Sequence, residues 1–250
     1  MRIAVSGSAC QGKSTLIKDF LKEWPMYTTP KSSYRDFIKE ENLPHSDNTN
    51  TDSQWKILNH VVDSVMEYEK GDKVIFDRCP LDTLVYTLWA YEKSINDVDE
   101  SFVKKCIPVV RESLKFIDVI FFTPITKVAP VEIVDDGTRT TNKNHIKEID
   151  HLFKGIEQQY FNNLKASPFL PTDDCPAIVE VFGNPKERIH LIRQYIDAEG
   201  DMLGDNESSI LDPNQVGDME QLLAEQEMQM MKEKQMQQNL YDKIQKSKRY

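Results

Sequence analysis

The residues best placed to do chemistry stand near the amino end. Gly7 to Thr15 read GSACQGKST and match G-x-x-x-x-G-K-[ST]. That spacing builds a phosphate cradle. Gly7 and Gly12 let the chain wrap tightly, so that the backbone N–H groups of Gly7, Ser8, Ala9, Cys10, Gln11, Gly12, Lys13, Ser14 and Thr15 face phosphate oxygens. Lys13 would reach the β- and γ-phosphates of ATP, and the Ser14 hydroxyl would hold Mg²⁺. A helix beginning near Lys13 adds its positive end. Cys10 is expected to contribute its backbone N–H. Loops of this kind hydrolyse nucleotides, move along DNA, switch states or pass phosphate to a small molecule, and other motifs must decide among these.

Three further stretches bear on that choice. FDRCPLD, Phe76 to Asp82, ends an apolar run. Asp77 there can hold Mg²⁺ or take the proton of an attacking hydroxyl, and Arg78 can neutralise charge on a phosphoryl group in transfer. A plain strand-end ion pair is the alternative. DDGTRTTNK, Asp135 to Lys143, has a turn at Gly137 and cations at Arg139 and Lys143. It has the composition of a lid that closes over phosphates, or of an ordinary solvated loop. FGNPKER, Phe182 to Arg188, is either a plain strand-to-helix turn or a turn packed beside an adenine ring.

The elements that would position these groups alternate. RIAVS reads as a buried strand, and KSTLIKDFLKEW as an amphipathic helix stopped by Pro25. MYTT reads as a short strand and SYRDFIKEENL as a helix running out at Pro44. HSDNTNTDS is a loop able to cap the helix QWKILNHVVDSVMEYEKG, closed by Gly71. KVIFDR and DVIFFTP are unalternating apolar runs, as suits strands covered on both faces. LDTLVYTLWAYEKS, DESFVKKCIPVVRESLKF and KNHIKEIDHLFKGIEQQYFNNL read as helices. AIVEVFG is a last strand, and NPKERIHLIRQYI a last helix. The pattern predicts a doubly wound α/β fold: a parallel sheet with helices on both faces.

Composition divides the 250 residues into a domain over 1–196, an acidic linker over 197–218, and a tail over 219–250 that is either helical or disordered. A helical tail would serve a homo-oligomer or a protein partner. The net charge of −10 disfavours general binding of nucleic acid or anionic membrane. The four cysteines are scattered without metal spacing, which points to a reducing compartment. Neither a signal-peptide pattern nor a bilayer-length apolar run is found. The expectation is a soluble, cytoplasmic protein. Arg78, not a second carboxylate, follows VIFD, which argues against a motor ATPase.

GSACQGKST, VIFDRCPLDTLVY, DDGTR and VEVFGNPKER occur in that order over residues 1–196. In this the chain resembles P-loop kinases of the nicotinamide riboside kinase type and, more distantly, deoxynucleoside kinases. The resemblance implies a P-loop NTPase fold, ATP and Mg²⁺, and transfer to a small acceptor such as a nucleoside or ribosyl compound. It makes Lys13 and Ser14 the phosphate lysine and the Mg²⁺ hydroxyl, Asp77 and Arg78 the acidic–arginine pair, and Arg139 the lid arginine. Relatives often carry E-x-x-R after the second strand. Here PKSSYRDF places Ser32 three residues before Arg35, so Asp36 or Asp77 must stand in as base. Gln54 resembles a base-reading glutamine, the alternative being a solvated side chain. A kinase acting on a modified base in DNA, and an ATP-binding interaction protein without kinase activity, are the other readings.

Overall fold

A computed structural model describes residues 1–45, 48–127, 131 and 142–203. Met1–Met202 form one compact unit. Its strands are β1 (Arg2–Ser6), β2 (Val74–Asp77), β3 (Val119–Phe122) and β4 (Ala177–Glu180). They pair in the order β2-β1-β3-β4, all parallel. MYTT contributes one parallel bridge, Thr28 to Val74, on the outer edge of β2.

The helices are α1 (Lys13–Glu23), α2 (Tyr34–Glu40), α3 (Thr51–Met66), α4 (Pro80–Glu92), α5 (Glu100–Leu114), α6 (Lys143–Asn163) and α7 (Pro185–Ile192). Strand side chains alternate between two apolar clusters. Ala4, Phe76, Ile120, Phe122 and Ile178 pack with α3, α4, α5 and α6. Ile3, Val5, Ile75, Phe121 and Val179 pack with α1 and α7. Both faces of the sheet are therefore covered, which is why its strands are apolar runs without alternation.

Helix ends obey local chemistry more than the proline and glycine signals suggest. α2 stops at Glu40, before Pro44. Asn42 takes a left-handed φ of 47°, and Leu43 N–H donates to Ile38 O at 3.0 Å, closing a Schellman turn. α3 ends at Met66, ahead of Gly71. It begins at the Asn50 cap, whose side chain accepts from Ser53 N–H at 2.8 Å.

Asp197 to Met202, the expected start of the linker, dock on the body of the domain. Trp24 Nε1 donates to Asp197 O at 2.7 Å, Tyr27 OH to Gly200 O at 2.6 Å, and Lys73 pairs with Asp201 at 3.0 Å. The remainder of the linker and the tail lie outside the described residues. Among the described residues no helix is long and apolar enough to cross a membrane.

One carboxylate pair, the buried Glu157 and the exposed Glu180, is expected to make stability depend on pH. Burial and the neighbouring Glu180 raise the Glu157 carboxyl to about 8, with Asp150 adding to the rise and Lys154 opposing it. The folded state thus holds a proton that the unfolded chain releases near the ordinary value of 4.5. The stabilisation is full below the unfolded value and is lost as pH rises through about 8. Thermal denaturation across this range is expected to show a falling midpoint, and Glu157→Gln to flatten that fall.

Candidate active site

The site gathers at the carboxyl edge of the sheet, where open α/β folds bind ligands. Register places Val5 beside Asp77 and Ser6 beside Phe122. The loop that leaves β1 and the Asp-Arg pair that ends β2 therefore emerge side by side. Arg78 N–H donates to Val5 O at 3.1 Å, carrying the strand pairing one residue past β2.

The loop from Gly7 to Gly12 is built from unusual backbone angles. Gly7 has φ 135°, Cys10 60° and Gly12 73°. A Cβ at Gly7 would lie 2.6 Å from Thr123 Oγ1 and 2.8 Å from Thr123 O, so only glycine fits there. Gly12 starts α1 in the left-handed region, without a side-chain cap. The amino end of α1 thus faces the cradle with backbone donors. Lys13 is buried, and its Nζ donates to Gly7 O at 3.0 Å and Ser8 O at 2.6 Å. Burial, with Arg78 close by, pulls its ammonium down to about 7, while Asp77 and Asp82 oppose the drop. A polyphosphate at this point would supply the negative charge such an ammonium lacks.

Asp77 and Ser14 meet at one guanidinium. Arg35, from the first turn of α2, approaches Ser14 Oγ at 3.4 Å with Nη1 and Asp77 Oδ2 at 3.4 Å with Nη2. Asp77 Oδ1 is buried and has no hydrogen-bond partner. Ser8 Oγ, in the loop itself, is likewise buried and unpartnered. Orphaned buried oxygens of this kind suit a hard cation and phosphate chemistry.

Arg78 is held rather than free to swing. Its φ is 84°. Nη1 donates to Asp82 Oδ1 at 2.9 Å and approaches Gly7 O at 3.4 Å, and Nη2 reaches Tyr86 OH at 3.3 Å. Its guanidinium lies 5.1 Å from the ring centres of both Tyr34 and Tyr86. Burial works against its charge, but Tyr34, Tyr86, Asp82 and Asp77 outweigh burial and keep it protonated.

The organising residue is Asp82, to which sequence reasoning assigned no role. It is buried at the first turn of α4. Oδ2 accepts from Ser6 Oγ at 2.6 Å and from Cys79 N–H at 3.1 Å, while Oδ1 faces Gly7 N–H at 3.4 Å and Arg78. One carboxylate thus ties together the end of β1, the start of the loop, the exit from β2 and the helix cap. Burial, with the Asp82 carboxylate alongside, pushes the Cys79 thiol up to about 12.

Gln54 is buried, not solvated. Its Nε2 donates to Thr49 Oγ1 at 2.8 Å, and its Oε1 accepts from Thr87 Oγ1 at 3.1 Å. It lines a cavity of about 350 Å³ that runs from Ala9–Ser14 to Tyr34, Arg35, Ile57 and Tyr86. Asp36 is a correction. Ser33 N–H donates to its carboxylate at 3.3 Å and Asp36 N–H donates back to Ser33 Oγ at 3.2 Å, closing a capping box on an exposed surface, and Ser33 Oγ donates to the same carboxylate at 2.7 Å. It caps α2 and does not line the cavity. Arg139 and the rest of DDGTR lie outside the described residues. Lys143 opens α6, behind the Asn142 cap.

FGNPKER proves to touch the loop. Gly183 turns with φ 95°, Asn184 caps α7, and Arg188 reaches back so that Nη1 donates to Gln11 O at 2.7 Å. Phe182 is exposed at the turn.

A family model described as an AAA domain matches residues 2–164. A search of curated proteins found no match. Among solved structures, the deoxyadenosine kinase from M. mycoides, with products dCMP and a flexible dCDP bound, aligns at TM-score 0.55 and 15% identity. The alignment covers 78% of this chain and 97% of that one. The NadR protein in complex with NR aligns at TM-score 0.56 and 16% identity, over 81% of this chain and 53% of that one. The chain thus corresponds to about half the length of NadR. At these identities the likeness is one of fold, and it agrees with the parallel sheet and loop described above. The family match spans well over half of the sequence, and the chain therefore belongs to the AAA domain family, as a P-loop protein of nucleoside-kinase-like fold.

Proposed function

We propose that the protein transfers the γ-phosphoryl group of ATP, with Mg²⁺, to the hydroxyl of a small nucleoside or ribosyl compound. One observation carries this reading. The cavity that begins at the phosphate cradle continues into a chamber walled by Tyr34, Ile38, Ile57, Val61, Gln54 and Tyr86. Hydrolysis of ATP needs no such chamber. An acceptor with a flat apolar face and a few polar edges does. The nucleoside kinase and the NR-bound protein of similar fold support the choice of class.

Each residue then has a task. Lys13 and the loop N–H groups hold the β- and γ-phosphates. Arg78, pinned by Asp82, is a stationary positive charge at the reacting group. The orphaned Asp77 Oδ1 and the Ser14 hydroxyl fit Mg²⁺, which when bound would neutralise phosphate charge. Ser32 occupies the E-x-x-R position and Asp36 is committed to its cap. Of the two stand-in carboxylates that leaves Asp77, which would receive the acceptor's proton on Oδ2, the oxygen turned to Arg35, with Oδ1 left to the cation. Arg35, against Asp77 and Ser14, orients that corner of the site.

The test is ADP release in a coupled assay with MgATP and a panel of nucleosides, deoxynucleosides and nicotinamide riboside. At least one acceptor is expected to stimulate release about tenfold or more over ATP alone. A rate indifferent to every acceptor, with ATP bound tightly, rules the reading out.

A further inference from the structure

We propose that Arg188 is a positioning residue whose buried guanidinium backs the phosphate loop and supplies positive charge from behind the cradle. The inference rests on the reading of that loop as a polyphosphate site.

Arg188 comes from α7, far along the chain from the loop, yet only 5% of it is exposed. Nη1 donates to Gln11 O at 2.7 Å and Nε to Gly183 O at 3.0 Å. A Cβ on Gly12 would lie 3.2 Å from Nη1. The guanidinium therefore sits against the last turn of the loop, where α1 begins.

Its surroundings differ from those of the other buried arginines. Arg2 pairs with Asp118 at 2.7 Å and Arg78 with Asp82 at 2.9 Å. Arg188 faces backbone carbonyls, with no carboxylate among the described residues in ion-pair contact. Burial accordingly lowers its pKa, with no opposing acid. A buried cation without a counter-charge is costly to the fold. Retaining one beside the amino end of a helix that binds phosphate turns that cost into attraction for an anion. The contact to Gln11 also fixes the loop peptide that precedes the left-handed Gly12.

The experiment compares Arg188→Met, which keeps length and apolar packing, with Arg188→Lys, which keeps charge. Binding of ATP and of inorganic tripolyphosphate to the full chain is measured by titration at several salt concentrations. R188M is expected to weaken both ligands about tenfold and to flatten the salt dependence, while R188K stays within about threefold of the parent. A merely structural role would not change the salt slope. The inference is overturned if R188M binds both ligands as the parent does, or if R188K falls as far as R188M. If R188M does not fold, R188K decides alone: affinity within about threefold supports the charge role, and a tenfold loss overturns it. A parent chain that binds neither ligand overturns the polyphosphate reading itself, and this inference with it.

Discussion

Asp82→Ala is expected to lower the unfolding free energy by about 3–5 kcal/mol, the cost of leaving a buried partner charge alone. The carboxylate is 2% exposed and serves Ser6, Cys79 and Arg78, with Gly7 N–H nearby. Removing it strands the Arg78 guanidinium, whose side chain is only 10% exposed and, among the described residues, has no other acid at hydrogen-bond distance. It also removes the side-chain acceptor at the start of α4. Chemical denaturation measures the change, and a thermal midpoint lower by roughly 10–15 °C should accompany it. Asp82→Asn keeps the shape and an acceptor but loses the charge, so a smaller loss of about 1–3 kcal/mol is expected. A loss under about 1 kcal/mol for the alanine variant would show that Arg78 is held by Tyr34 and Tyr86 rather than by this carboxylate.

The second large effect is on turnover. On the proposed function, Lys13→Met should cut kcat by about 10²–10³-fold, since its loss would remove a preorganised donor to the phosphates. Stability should change in the opposite sense. The parent buries an ammonium whose pKa burial has lowered to about 7, and methionine fills similar space without that penalty. Steady-state kinetics and a melting curve on the same preparation separate the two. A variant that loses turnover and melts earlier would mean that Lys13 is needed to close the loop through Gly7 O and Ser8 O.

The sequence made the scaffold legible because its signals are local. Apolar runs such as VIFD and VIFF mark strands buried on both faces, and GSACQGKST carries its conformation in its own glycines. The Ser33–Asp36 cap was equally legible: a serine followed three residues later by an acid, just before a helix, is a capping box. Naming Asp36 beside Asp77 as a stand-in base overlooked that signature. What stayed hidden is non-local. The importance of Asp82 comes from Ser6, 76 residues away, and that of Arg188 from Gln11, 177 residues away. Gln54 is buried because Thr49 and Thr87 close over its two ends, and only the packing of α3 on α4 brings Thr87 there. No spacing rule encodes such contacts.

These contacts bear on function as well as stability. Asp82 and Arg188 grip the same loop from two sides, one through Gly7 and the other through Gln11. Between those grips stand the residues that would meet phosphate. A preorganised loop avoids reorganising at the moment of transfer, which is where most of the catalysis in such sites arises.

The central claim is that phosphate moves from ATP to a small acceptor. Phosphorus NMR of the protein with MgATP and the nucleoside panel reads this directly. The account predicts ADP and a new phosphate monoester of the acceptor appearing in equal amounts, with neither formed by Lys13→Met on the same timescale. ADP accompanied only by inorganic phosphate, whatever acceptor is present, would contradict it.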